Sequence, residues 1–492
     1  MNWVNGLIIF AYMGAMLLFG WWGQRRTSTT DDYFVAGRRL GPVLYTGTMV
    51  AVVLGGAAAI GGVGLGYKYG ISGLWLVTAI GLGVVILSLV FAPIIQRLKI
   101  YTVCQMLTLR YGSEATQASS VVLVYSIVGG MWSITLADMA QFTLMTLGTF
   151  ALMLPISLHR AGGWDGLHSR LDETFFDITG IGAQSIITYF VVYTLGLLIG
   201  QDIWQRVFTA RSDSVARWGG VTAGLYCILF GIVGAIIGMA AAVIIPGVEQ
   251  RDDVFALVAT NMLPVGIGGL ALASGVAAMM STASGGLIAA ATVAKTDVVP
   301  LCKKVFSGSA PRTLSPTETD QLVKAEMEQA AHAEDELSGN RAWVLGLGLV
   351  ALALAIAVPD VVAALTIAYD ILVGGLLVAI IGGIVWMRGT GVGAMWSMIF
   401  GVAGTLLTMG VLEVRAEERF DGVFANEPIY VGLALSLIAY IAASLLSQPT
   451  HPAVLENWKR RASGATGSET EAAPTPAPRE SQHKMANSLP TK

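Results

Sequence analysis

The sequence predicts an all-α, polytopic membrane protein, and three observations carry that prediction. Hydrophobic residues make up 54% and charged residues 12% of the 492 positions, whereas a soluble domain is roughly a quarter charged. Apolar runs near 20 residues recur from one end of the chain to the other, each long enough to cross a hydrocarbon layer of about 30 Å as a helix. One of these runs, Met49 to Gly66, carries Gly at 55, 56, 61, 62, 64 and 66. Non-helical backbone at membrane depth is tolerated only where it is buried in protein or lines a cavity. Carbonyls freed at a Gly-rich break near the midplane can therefore hold a cation, as in the discontinuous helices of secondary transporters. The competing reading is that small residues simply let neighbouring helices pack closely.

Taken in order, the expected spans are about 3 to 22, 42 to 65, 71 to 94, 118 to 136, 137 to 157, 182 to 205, 215 to 245, 263 to 293, 342 to 358, 361 to 387, 390 to 412 and 428 to 447. These twelve make residues 1–447 a transmembrane domain. The first span has no basic residue ahead of it and Arg25 and Arg26 just behind it, so it reads as a retained helix with its N-terminus outside rather than as a signal peptide. Residues 301–341 form a polar cytoplasmic loop with a helix-compatible run from Glu318 to Leu337. The tail, 448–492, contains PTPAP and scattered Ser, Thr and Glu, the composition of a disordered cytoplasmic segment.

A formal net charge of -3 argues against nucleic acid as a partner. Cys104, Cys227 and Cys302 are scattered and offer neither a disulfide framework nor a metal cluster. None of the five His lies inside an expected span, so a membrane enzyme lacks the titratable cluster that it would need.

Lys and Arg concentrate in short cytoplasmic loops, which tests the span count. Loops 23–41 (Arg25, Arg26, Arg38, Arg39) and 95–117 (Arg97, Lys99, Arg110) are both basic and two spans apart. From the other end, the tail (Lys459, Arg460, Arg461), Arg388, the loop starting at Lys295 and the loop with Arg206, Arg211 and Arg217 are basic and an even number of spans apart. The acidic loops Glu249 to Asp253 and Glu413 to Asp421 fall outside. Three expected spans separate loop 95–117 from loop 206–217, however, and an odd number cannot join two cytoplasmic loops.

Five motifs now carry a resemblance. Asp32-Tyr33-Phe34-Val35-Ala36-Gly37-Arg38, Gly66-Tyr67-Lys68-Tyr69-Gly70, Tyr125-Ser126-Ile127-Val128-Gly129-Gly130-Met131-Trp132 leading to Asp138 and Gln141, Gly200-Gln201 with Gln205-Arg206, and Met280-Ser281-Thr282-Ala283-Ser284 together resemble the sodium:solute symporter family, over roughly residues 3–447. The resemblance implies the inverted-repeat fold of the neurotransmitter:sodium symporters: a 5+5 core of ten helices, with one helix before it and two after. It also implies thirteen spans, with the third core helix between Arg110-Tyr111-Gly112 and the Tyr125 motif. One core helix is therefore expected to be absent, the gap lying near Ser119 to Val121.

By the same resemblance, Na⁺ as coupling ion would be held by the carbonyls of Ala51, Leu54 and Ala278 and the hydroxyls of Ser281 and Thr282. A hard cation of this kind is matched by about five or six such oxygens. Positions 278, 281 and 282 share one helical face, although Ser and Thr in membrane helices commonly bond back to their own helix. The resemblance places Asp138 on the inner route for ion release, the alternative being a helix-start cap. Ala58 and Gly200 stand where the sugar-transporting branch binds sugar, so sugar is disfavoured. Asp370, a carboxylate within a span and hence costly, is a candidate for lining the solute site with Ala58, Gly200 and Gln201; pairing with a nearby donor is its alternative.

The function implied is sodium-coupled secondary active uptake of a small organic solute across the cell membrane by alternating access, with no cofactor and with the lipid bilayer as surroundings. The alternative is a truncated, inactive or regulatory relative. With a helix lost, an open slot beside spans two and eight is expected to expose Ala51 and Ser281 and to abolish coupled transport. The C-terminal portion is expected to keep its orientation, so part of 118–157 must form a re-entrant hairpin or lie on the surface.

Overall fold

A computed structural model describes residues 2–24, 35–100, 102–111, 131–293, 360–417 and 421–463, with single positions 349, 353 and 356. Apart from one bridge between Leu40 and Ala210, regular structure among the described residues is helical, as a chain that must satisfy its backbone inside lipid requires. The motif stretches Asp32–Phe34 and Tyr125–Gly130, the gap near 119–121, loop 301–341 with its run 318–337, most of span 342–358 and the tail beyond 463 lie outside the described residues.

Helix α1 (Trp3–Gln24) precedes a pair separated by a short break: α2 (Pro42–Val53), which Pro42 opens at its first turn, and α3 (Gly62–Tyr69), entered through a wide turn at Ala57–Gly61. Gly70, at φ +63°, then reverses the chain into α4 (Trp75–Ile86, prolonged through Leu87–Phe91 into Ala92–Leu98). A Cβ on Gly73 would lie 2.5 Å from the Gly66 nitrogen, so only glycine lets this hairpin close. Helix α5 (Val103–Tyr111) follows.

Helix α6 (Met131–Thr146) runs through a wide turn at Leu147–Met153 into Leu154–Arg160. The wide turn accommodates Pro155, which lacks an N–H and would crowd the preceding turn of a regular helix. This corrects the sequence expectation: residues 131–136 and the run 137–157 are one helix, with no hairpin at Leu136 to Met139. The polar pair Asp138 and Gln141 interrupts the hydropathy, not the helix, because both side chains are buried among neighbouring helices.

Helix α7 (Gly163–Arg170) leads to α8 (Ala183–Tyr189, continuing through Phe190–Thr194 to Leu195–Leu197) and α9 (Gln201–Thr209), which meet at 49°. Then come α10 (Gly220–Ile244), the short α11 (Val254–Leu257), α12 (Ile267–Val293), α13 (Val361–Leu372, through Val373–Leu377 into Val378–Val385), α14 (Gly391–Arg415), α15 (Glu427–Leu446) and α16 (Pro452–Ser463). Among the described residues seven helices are long and apolar enough to cross a membrane, eight if α8 and α9 are one bent span. That is fewer than the twelve expected. Ala57–Leu98 counts once despite its reversal, α1 and α2 have short apolar parts, and 342–358 lies almost wholly outside the described residues.

The tail also differs from expectation, because α16 is ordered against α4 and α5. Val454 and Trp458, four residues apart, bury one apolar stripe. Composition alone hides that stripe among Lys459, Arg460 and Arg461.

Candidate sodium and solute site

The break between α2 and α3 begins at Leu54 (φ −83°, ψ 60°), whose N–H still reaches the Val50 carbonyl at 2.9 Å. The chain re-enters helix when the Gly55 carbonyl accepts from Ala58 and Ala59, at 3.1 and 2.9 Å. Carbonyls at the end of α2 thus meet hydroxyls from α12. Ser281 Oγ donates to the Ala51 carbonyl at 2.6 Å and lies 2.9 Å from the Ala278 carbonyl; Thr282 Oγ1 donates to the Val52 carbonyl at 2.9 Å. A Cβ on Gly55 would sit 2.4 Å from Thr282 Oγ1, so the missing side chain is what lets α12 approach the break. Of the five expected sodium ligands, Ala51, Ala278 and Ser281 converge directly, Leu54 adjoins them in the break, and Thr282 faces Val52 instead.

The glycines of this run divide between the two readings of them. Gly55 serves the break. Gly66, by contrast, packs backbone to backbone on α10: a Cβ there would fall 2.6 Å from the Ala235 Cα, and one on Gly238 would fall 2.3 Å from the Val63 carbonyl.

The expected open slot is not there: Ala51, Leu54, Ala278 and Ser281 are all fully buried. Helix α6 packs along both α2 and α12, with Met139 against Gly47 and Gly148 against Ser274. Helix α1 covers α6 and α12 in turn, and its Asn5 accepts the Gly266 N–H at 3.0 Å.

Asp138 is buried in α6, where its Oδ2 accepts from Thr48 Oγ1 of α2 and from Arg206 Nη2 of α9, the latter at 3.1 Å. Arg206 is itself fully buried. It was counted among the loop charges, and the structure moves it inside; Arg211 and Arg217 remain exposed. A Cβ on Gly285 would approach Arg206 Nη2 to 3.1 Å and Val52 to 2.7 Å, so the guanidinium lies one helical turn from Ser281 on the same face. Arg110, another presumed loop charge, is also buried and donates to the carbonyls of Gly383 at 2.6 Å and Trp386 at 2.9 Å, which caps the end of α13 with a cation.

Helix α13 lies across both broken helices. Val362 fills the space beside Gly61, Tyr369 that beside Gly196, and Thr366 Oγ1 bonds Tyr193 OH at 2.8 Å. Asp370 is buried one turn beyond Thr366. Ala58 is buried in the wide turn before α3, and Gly200 is the extended residue at the α8–α9 break. Gln201 is turned toward α5, where its Oε1 accepts the Val103 N–H at 2.7 Å, and the Asp202 carboxylate accepts backbone N–H groups of the first turn of α9. Thr48, Val52, Arg206 and Tyr193 were missed as parts of this region. Only Arg206 gave a signal, as the last residue of the Gly200 motif.

At the far end of α13, Asp360 caps the helix by accepting from Ala363 N at 2.7 Å and pairs with Arg251 Nη2 at 2.9 and 3.2 Å. Arg251 also lies 5.0 Å from the Phe424 ring.

The chain is 22% identical over 502 residues to the sodium/pantothenate symporter of Haemophilus influenzae, covering 91% of this chain and 95% of that one. It is 21% identical over 513 residues to a sodium/proline symporter of Staphylococcus aureus, covering 91% and 94%. Its structure overlays that of a Na⁺-coupled sialic acid symporter, solved substrate-bound and outward-open, with a TM-score of 0.66 at 17% identity over 92% of this chain and 99% of the other. A family profile matches residues 33–123 and 116–305, two segments that meet where the gap was expected, and by that match the chain belongs to the sodium:solute symporter family.

Proposed function

We propose that this protein couples the entry of Na⁺ to uptake of a small organic solute across the cell membrane by alternating access, with Na⁺ held by Ala51, Leu54, Ala278, Ser281 and Thr282. One observation carries the assignment: the buried Ser281 hydroxyl and the half-buried Thr282 hydroxyl of α12 meet carbonyls at the break of α2. Here the Ser281 and Thr282 protons point at those carbonyls. A bound cation would turn both protons away and take lone pairs from the five ligand oxygens, with Thr282 released from the Val52 carbonyl. On release it would pass toward Asp138, competing with Arg206 for the carboxylate.

Two broken helices, α2–α3 and α8–α9, head the two halves of a 5+5 inverted repeat in this reading. With α6 a single crossing, the described residues of the first half hold two helices fewer than the five of the family pattern, rather than one fewer. A loss of two keeps every later loop on its side, with the N-terminus outside and the tail cytoplasmic, and needs no inversion. The Arg251–Asp360 pair then closes the outer end of α3 and α13, and Arg110 secures the inner end of α13.

The solutes named for the relatives, pantothenate, proline and sialic acid, all bear a carboxylate. Proteoliposomes holding the full chain test the reading with labelled L-proline, choline and pantothenate: an inward Na⁺ gradient should drive accumulation of at least one, and an equal K⁺ gradient should not. Saturable sodium binding without sodium-driven accumulation would identify the inactive relative instead.

A further inference from the structure

We propose that Asp370 anchors a positively charged nitrogen of the transported solute, which is therefore an amine, an amino-acid zwitterion or a quaternary ammonium compound. The proposal rests on reading the region between the two broken helices as the solute site. Asp370 is 1% exposed, its Oδ1 makes no hydrogen bond, and it joins no ion pair among the described residues. The other buried charges have partners: Asp138 with Arg206, and Arg110 with backbone carbonyls. An uncompensated carboxylate at membrane depth is costly unless a cation or a proton meets it.

The neighbours favour a cation. Tyr193, hydrogen-bonded to Thr366 one turn away, stands edge-on to Tyr369 at 5.8 Å and tilted against Tyr189 at 5.5 Å, and aromatic faces attract ammonium groups. Arg251 cannot fill the role. It is engaged by Asp360, ten residues ahead of Asp370 on the same helix, or about 15 Å at 1.5 Å per residue.

Thermal unfolding of the purified full chain in NaCl tests this with four probes: choline and L-proline, which carry a positive nitrogen, and pantothenate and acetate, which do not. Choline or L-proline should raise the unfolding temperature, and Asp370→Asn should weaken that binding at least tenfold, with part restored in Asp370→Glu. The proposal is overturned if neither positive-nitrogen probe stabilises the wild type, if pantothenate or acetate stabilises it as well as they do, or if Asp370→Asn folds and binds unchanged. Stabilisation that follows pH with no probe present would mark a proton site and overturn it too. Should Asp370→Asn fail to fold, the wild-type panel decides alone. Stabilisation by Na⁺ over K⁺ without any probe reads the sodium site separately, so the two proposals fail independently.

Discussion

Asp138 and Arg206 share one buried hydrogen bond, and this makes the mutational behaviour of each depend on the other. Removing one partner of a buried pair leaves an uncompensated charge and costs about 3–5 kcal/mol, while replacing both is often tolerated. Asp138→Asn should therefore lower the unfolding temperature as well as slow sodium-driven uptake. The double change Asp138→Asn with Arg206→Met should recover most of the stability and none of the uptake rate. Detergent unfolding curves beside initial uptake rates separate the two effects; a stable Asp138→Asn single variant would show that the pair contributes little. Gly55 makes a sharper residue-level case. The Cβ of Gly55→Ala would collide with Thr282 Oγ1, and overpacking of this kind costs about 1–3 kcal/mol. Sodium half-saturation, read from unfolding in NaCl against KCl, should rise severalfold in that variant and stay unchanged in Gly14→Ala, whose Cβ meets nothing within 4 Å.

At the scale of elements, the Arg251–Asp360 pair ties the loop before α11 to the start of α13. Only about a fifth to a quarter of each side chain is exposed, so removing one partner leaves the other charge partly buried and unpaired, which costs more than losing a surface ion pair, worth about 1 kcal/mol at most. Arg251→Gln should loosen the outer closure. A cysteine placed at Ala58 should then react faster with a membrane-impermeant maleimide, and equal rates with and without Arg251 would remove the pair from gating. Much at this scale was legible in the sequence. Gly-rich 55–66 marked the α2–α3 break, and the family resemblance, not the spacing, pointed to Ala278, Ser281 and Thr282 on the helix that packs against it. The continuity of α6 was not legible, because Asp138 and Gln141 look like a loop until their buried partners, far away in sequence, are known. Arg110 and Arg206 misled for the same reason: a basic residue counts as a loop charge unless the carbonyls or the carboxylate that hold it can be seen.

For the whole molecule, the sequence established helical membrane character and the family motifs, and the structure altered the count. Among the described residues, a single α6 and the bent α8–α9 are the crossings between loops 95–117 and 206–217, an even number that lets both loops be cytoplasmic without inverting the C-terminal portion. Single cysteines at Asp165 and at Ser212 should thus label from opposite sides of the membrane, outside and inside respectively, and labelling of both from one side would refute the even count. If the α2–α12 oxygens bind Na⁺, equilibrium binding of radiolabelled sodium to the purified full chain reads that binding without any transported solute. Binding should be saturable and displaced by unlabelled Na⁺ but not by K⁺, with affinity lowered on the order of tenfold, about 1.4 kcal/mol, in Ser281→Ala and further when Thr282→Ala is added. Absent binding, or binding unchanged in both variants, would contradict the sodium assignment.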